Sequence, residues 1–244
     1  MTISWIEAQW PAPTGVRAGT TLRYGGVSKG IYASLNLGGH VDDDAALVDE
    51  NRRRFAESCG LPANPVWLQQ THSINVAIDA PLSPDPGTDA FVTGNSNTVG
   101  VVLSADCLPV VFAAAEGNEV AIAHAGWRGL CGGILEATLA AMTTAPAGLL
   151  AWLGPAISQS AFEVGAEVRR QFVDRQRGAA RHFAENGRGR YQADLYGLAK
   201  QRLGKAGVTA VFGGDRCTWS ESREFFSYRR DGPCGRMATF VYRL

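Results

Sequence analysis

The residues of this chain best equipped for chemistry are Cys107 and His124. They lie in a stretch from Ser104 to Gly129 that reads Ser-Ala-Asp-Cys-Leu-Pro, then an apolar run, then Ala-His-Ala-Gly-Trp-Arg-Gly. Val110 to Ala115 has the composition of a buried strand, Glu116-Gly117-Asn118 supplies a turn, and Glu119 to His124 returns. Paired as a hairpin about Gly117, these strands set His124 opposite Val110, with Cys107 only about three residues further along. At roughly 3.3 Å per residue, that brings a thiol and an imidazole to the same end of one hairpin, beside glycine-rich backbone.

Such a pair supports two chemistries. As a nucleophile and its base, Cys107 and His124 need an acid such as Asp106 to orient the imidazole. As metal ligands they need a third partner, because a catalytic zinc takes three protein ligands and keeps a further position for water or substrate. His72, which follows Gln69-Gln70-Thr71 at the end of a buried strand, would complete the set His72, Cys107 and His124. The wide spacing of these residues matches no compact zinc motif, and a buried free cysteine beside a hydrogen-bonded core histidine would leave the same trace. Of the other two histidines, His40 closes a glycine-rich loop and His182 falls in a polar, arginine-rich segment that reads as surface.

The rest of the chain must position these groups. Val16 to Arg23 alternates as a strand and leads into a long glycine-rich loop ending at His40. Ile31, Tyr32, Leu35 and Leu37 make that loop too apolar for a linker. Asp42, Asp43 and Asp44 offer N-caps for a helix ending near Gly60. On its inward stripe, with Leu47, Val48, Phe55 and Cys59, stands Asn51, a polar amide that needs partners. Val66 to Gln70 reads as a strand continued by Ile74 to Ile78, and residues 80–88, with three prolines, form a surface loop. Thr88 to Thr93 and Val99 to Leu103 are further strands. Helices are expected over Leu130 to Met142, over Ala161 to Arg175 and after Asp194. Leu149 to Leu153, Val208 to Phe212, Glu224 to Tyr228 and Ala238 to Tyr242 read as strands. Together they predict an α+β fold, one domain over 1–244 with mixed β-sheets flanked by helices.

Composition narrows the function. Twenty-three Lys and Arg balance 23 Asp and Glu, so no global field favours nucleic acid or an anionic membrane. The short basic clusters Arg52-Arg53-Arg54 and Arg229-Arg230 read as solvated faces. No apolar run approaches the roughly 20 residues of a membrane span, and the N-terminus lacks a secretory pattern. Five cysteines without Cys-x-x-Cys spacing fit reduced thiols, so a cytoplasmic protein is expected.

Several blocks carry a resemblance: Ala105-Asp106-Cys107-Leu108-Pro109-Val110 and Ala123-His124-Ala125-Gly126-Trp127-Arg128-Gly129 above all. Upstream stand Gly25-Gly26-Val27-Ser28, Ser34-Leu35-Asn36-Leu37-Gly38, Glu50-Asn51-Arg52 and Trp67-Leu68-Gln69-Gln70-Thr71-His72. Downstream stand Leu153-Gly154-Pro155-Ala156-Ile157, Cys217-Thr218 and Phe225-Phe226-Ser227-Tyr228-Arg229-Arg230. In collinear order these make the chain similar to the bacterial laccase-domain family, whose members carry the names polyphenol oxidase, purine nucleoside phosphorylase and peptidoglycan-editing factor. The chain departs from the family in reading Gln-Thr-His-Ser where members often have Gln-Val-His-Gly. The resemblance implies a metal held by two His and one Cys, matched here by His72, Cys107 and His124. It also implies a ligand contacted by Asn36 and Arg52.

Residue chemistry adds to this. Asp106 adjoins the cysteine and is a candidate acceptor for a ligating histidine or for substrate protons. Arg52 and Arg128, with Arg23 as a third, are candidates for an anionic group, since a guanidinium grips phosphate bidentately. The resemblance, together with the set His72, Cys107 and His124, implies a zinc-dependent enzyme of purine nucleosides, acting by phosphorolysis of adenosine, inosine or methylthioadenosine and by deamination of adenosine. Its partners would be a small nucleoside and phosphate, with the protein a monomer. A second expectation, which the family resemblance alone implies, is a peptidoglycan-precursor editing hydrolase that removes a misincorporated L-Ser from a nucleotide-sugar (UDP-MurNAc). A third is a copper-dependent polyphenol oxidase, although only Met1, Met142 and Met237 exist to serve as a weak axial ligand.

Overall fold

Strands that read as nearly continuous apolar runs must be covered on both faces, and the architecture supplies two covers for each sheet. The computed structural model describes residues 3–79 and 87–244. A five-stranded sheet holds, from edge to edge, Trp5–Glu7, Val16–Thr21, Met237–Arg243, Gly100–Ser104 and Val66–Trp67. A six-stranded sheet holds Ala210–Gly213, Leu149–Leu153, Leu108–Ala114, Val120–Ala125, Thr88–Thr93 and Asn75–Ile78. Both are mixed: Val66–Trp67 runs parallel to its neighbour, as do Ala210–Gly213 and Asn75–Ile78 to theirs, and the remaining pairs are antiparallel. A small three-stranded sheet is added by Glu163–Val164, Tyr191–Ala193 and Phe183–Glu185.

The two large sheets face each other. Ala18, Val66, Val102 and Val241 of one meet Phe91, Val111, Ile122 and Trp152 of the other. Because side chains alternate along a strand, the neighbouring residues point the opposite way. Val101, Leu103 and Phe240 therefore pack on Phe55 and Cys59 beside the helix Ala45–Ser58. Val110, Phe112, Ala121 and Ala123 pack on Ile134, Leu135, Leu198 and Leu203 from helices on the far side. The result is a single domain of mixed sheets between helical layers. Among the described residues, no helix is long and apolar enough to cross a membrane.

The helix Ala45–Ser58 starts at Asp44, whose carboxylate accepts from the Ala46 N–H. Its buried amide, Asn51, stitches the glycine-rich loop in place. Oδ1 accepts from the Val27 N–H, and Nδ2 donates to Ser28 Oγ and to the carbonyls of Ser34 and Asn36. Asn51→Ala would orphan these groups in a dry site, costing about 3 kcal/mol. For a chain of this size that is a fall in melting temperature of roughly 6–12 °C, read by calorimetry.

Five readings of the sequence are corrected by the structure. The hairpin is in a different register, with Pro109 opposite His124 and Leu108 opposite Ala125. The loop spans four residues, 115–118, and closes through the Ala114 N–H to Glu119 carbonyl bond, so its centre lies before Gly117. Asn75–Ile78 does not continue Val66–Trp67; the chain leaves one sheet and enters the other between them. The expected helix Leu130 to Met142 is two helices, Trp127–Gly132 and Ile134–Ala141, broken where Gly133 takes φ +112°. The helix read from Ala161 begins only at Ala166, because Glu163–Val164 pairs with Tyr191–Gln192. Glu224 to Tyr228 is no strand. Its N–H groups at Glu224 and Phe225 close onto the Glu221 carbonyl, and Ser227 caps a short helix, Tyr228–Asp231. The proline-bearing loop read over residues 80–88 lies, for 80–86, outside the described residues.

Candidate metal centre and cavity

Two passages between the sheets deliver the chemistry. Residues 68–74 carry the chain from the five-stranded to the six-stranded sheet, and His72 sits on that passage. Ala105-Asp106-Cys107 makes the second passage, from Gly100–Ser104 into Leu108–Ala114. His124 comes from the adjoining strand, Val120–Ala125. One donor atom from each of His72, Cys107 and His124 lies within 4.8 Å of the others. His72 Nε2 stands 3.6 Å from Cys107 Sγ, and the two imidazoles meet edge to face at 4.8 Å between centroids. Three residues scattered along the sequence thus form one cluster.

Both passages are strained, since His72 has φ +63° and Asp106 has φ +99°, a region L-residues rarely occupy. Carboxylates hold each in place. Buried Asp89 accepts from the N–H groups of Thr71, His72 and Ser73 at 2.7–3.0 Å, and from His124 Nδ1 at 2.8 Å. One side chain therefore fixes the His72 turn and the tautomer of His124, leaving His124 Nε2 free to ligate. Asp106 accepts from Thr218 Oγ1 and from the Arg229 N–H, which secures the turn that presents Cys107. This corrects the expectation for Asp106: it lines the cavity but orients no histidine, and Asp89 does so instead. A lone carboxylate in the otherwise apolar or hydroxylic run Thr88-Asp89-Ala90-Phe91-Val92-Thr93 was the available signal, because a buried charge requires partners.

The electrostatics favour an ionised cluster. Burial alone would push the Cys107 thiol up, but the adjacent charge of His124 and hydrogen bonds from both imidazoles bring it down to about 6. Burial would likewise lower His124, yet Cys107 and Asp89 raise it to about 9. A thiolate and two imidazoles are a donor set suited to zinc or copper. The space for a cation is kept by Gly126, where a Cβ would stand 2.6 Å from His72 Cδ2 and 2.9 Å from Cys107 Sγ. Gly126→Ala should therefore fold normally and bind metal about 10–100-fold more weakly, as chelator competition would measure.

The cluster faces a cavity of about 540 Å³. One wall is aromatic and apolar, with Trp127, Ile157, Phe162 and Tyr228; His40, Gln70, Ser104, Arg128, Arg229 and Arg236 supply polar groups. Gln70 is committed to backbone, pairing with both the N–H and the carbonyl of Leu103. Arg128 stacks on Trp127, Arg229 over Phe162 and Arg236 over Tyr228. Among the described residues, none of these three arginines forms an ion pair.

The candidate ligand-binding residues divide accordingly. Arg128 lines the cavity as expected. Asn36, Arg52 and Arg23 do not. Asn36 is fully buried, accepting from the N–H groups of Gly38 and Arg236 and donating to the Gly38 carbonyl and Asp43. Arg52 stacks on Trp67 and donates to the Leu37 carbonyl. Arg23 lies over Phe226 and donates to the carbonyls of Ser222 and Ala33. Arg229, read as part of a solvated face, and Arg236 take their place. Nothing in their sequence neighbourhoods joins Arg229, one of the Arg229-Arg230 pair, to Arg236, and only the fold brings them to one wall.

The similarities to known proteins span nearly the whole chain. Residues 17–244 match the family model described as multi-copper polyphenol oxidoreductase laccase. A protein of Escherichia coli (strain K12) named Purine nucleoside phosphorylase YfiH is 49% identical over 243 residues, covering 98% of each chain. A Pseudomonas aeruginosa protein, also named a purine nucleoside phosphorylase, is 47% identical over 240 residues, covering 98% of each chain. Among solved structures, a Neisseria meningitidis protein of the DUF152 family superposes with a TM-score of 0.93 at 45% identity, covering 98% of both chains. YlmD from Geobacillus stearothermophilus gives a TM-score of 0.89 at 33% identity, covering 98% of this chain and 96% of that one.

Proposed function

The chain belongs to the multi-copper polyphenol oxidoreductase laccase family, and from that premise we propose that it is a zinc-dependent purine nucleoside enzyme. It would cleave adenosine, inosine or methylthioadenosine with phosphate, and deaminate adenosine at the same site. The observation that carries this reading is the convergence, on one cavity, of a three-ligand metal set and three guanidiniums that have no carboxylate partner among the described residues. The volume of about 540 Å³ falls in the range of small-molecule sites, roughly 300–1,000 Å³.

His72, Cys107 and His124 would hold the zinc, which when bound supplies Lewis-acid polarisation and keeps Cys107 as thiolate. The protein's own groups do the rest. Trp127, Phe162 and Tyr228 offer ring faces against which a purine stacks. The arginines neutralise phosphate and aim one of its oxygens at the ribose anomeric carbon. As that bond forms, the bond to the purine breaks, and the proton given up by the attacking hydrogen phosphate ends on a ring nitrogen of the departing base. His40 lines the same cavity, and partial desolvation with the nearby charges of Arg236 and Arg52 holds its imidazole below the usual value. It is thereby kept neutral at pH 7 and able to donate a hydrogen bond.

Copper oxidation fits the residues less well. Met237 is buried, with its sulfur accepting from the Phe226 N–H, and Met142 packs in the helical core, so neither reaches the cavity. The test is to incubate the zinc-loaded protein with inosine, adenosine and phosphate, in competition with the cell-wall nucleotide-sugar carrying L-Ser. Free base with ribose 1-phosphate, and inosine from adenosine, support the reading. Release of serine alone would replace it with the editing hydrolase.

A further inference from the structure

Ser104 ends the strand Gly100–Ser104 with 2% of its surface exposed, lines the cavity, and its hydroxyl has no hydrogen-bond partner among the described residues. A buried hydroxyl left unpaired costs free energy, so a native site that keeps one is built to pair it with a ligand. Its setting says which kind. In the sheet Ser104 lies opposite Met237, so Arg236, one residue earlier, stands beside the same strand end. Arg236 is unusually well anchored. Its N–H donates to Asn36 Oδ1, and Nη1 donates to the carbonyls of Cys234 and Gly235. Those bonds leave Nε and Nη2 uncommitted, with no carboxylate in ion-pair range among the described residues. His40 completes the group, lining the same cavity as Ser104 and Arg236. Arg128 and Arg229 are exposed, stand over Trp127 and Phe162, and add positive charge to the same cavity.

We propose that Ser104, Arg236 and His40 form an oxyanion subsite of the cavity that takes inorganic phosphate, with Ser104 donating its hydroxyl hydrogen to a phosphate oxygen. This deepens the purine nucleoside reading and rests on it for the choice of phosphate. It also gives Asn36 a role: with no place in the cavity itself, it positions Arg236 through the backbone.

The test titrates inorganic phosphate, and separately inosine, into full-length wild-type protein, Ser104→Ala and Arg236→Gln, by calorimetry, with Arg236→Lys as the variant least disturbing to the fold. The expected result is a rise in the phosphate Kd of about tenfold for Ser104→Ala and about a hundredfold for Arg236→Gln. Arg236→Lys should fall between wild type and Arg236→Gln, and inosine affinity should change less than about twofold throughout. The proposal is overturned if wild-type protein does not bind phosphate. It is equally overturned if Ser104→Ala and Arg236→Lys keep wild-type phosphate affinity, or lose phosphate and inosine together. Wild-type protein that binds phosphate in this variant-sensitive way yet forms no ribose 1-phosphate would sink the phosphorolysis reading and leave the subsite standing.

Discussion

Cys107→Ala should leave a folded protein that retains less than about a hundredth of its bound metal and loses both phosphorolysis and deamination together. The two activities share one cation, so loss of one ligand should remove both. The fold should survive because the turn at Cys107 is held by Asp106, through Thr218 and the Arg229 N–H, and not by the thiol. The thiolate itself is favoured by its neighbours, which outweigh burial and hold it at about 6. Without it, two imidazoles remain, one of them tied to Asp89. Elemental analysis alongside product assays checks the expectation. Retention of either activity at full rate in a metal-free variant would contradict it.

Asp89→Asn should be the most damaging single substitution outside the ligands. An amide of the same shape replaces two of the carboxylate's lone-pair positions with N–H groups, which then face backbone donors at residues 71–73 or the His124 ring. The cost is about 3–5 kcal/mol, the range for breaking a buried charged network, with a fall in melting temperature of roughly 6–20 °C. Metal affinity should fall as well, because the His72 turn and the His124 tautomer both lose their support. The acid limb of stability gives a second readout. Burial would raise the Asp89 pKa, but the bonds from His124, Thr71 and Ser73 lower it from 3.8 to about 2. A carboxyl depressed on folding contributes stability that is complete above its unfolded value and is lost as pH falls, here from about 4 toward 2. Wild-type protein should show that decline in denaturant titrations across this window, and Asp89→Asn should show a flatter one.

The cluster was partly legible in the amino-acid sequence. Cys107 and His124 could be placed together from a hairpin alone, because hairpin geometry needs only local turn residues. A register one residue out did not change which end of the hairpin they occupy. His72 was a different matter. Its approach depends on the chain crossing between two sheets, and an uninterrupted strand from Val66 to Ile78 would have carried it elsewhere. The left-handed backbone at His72 leaves no mark in residue type, as it would have done at a glycine. Asn51 announced its role, since an amide in the middle of an apolar stripe must be satisfied. The arginines did not, because Arg23, Arg52, Arg229 and Arg236 look alike in sequence. Only their partners separate stacking on Trp67 or capping of loop carbonyls from lining a cavity.

The most direct test is X-ray absorption at the zinc edge of the purified, metal-loaded protein. The expected spectrum has a first shell with one sulfur at about 2.3 Å and imidazole nitrogens at about 2.0–2.1 Å, with the sulfur lost in Cys107→Ala. A shell of oxygen and nitrogen alone in the wild-type protein, or a sulfur that persists in that variant, would contradict it.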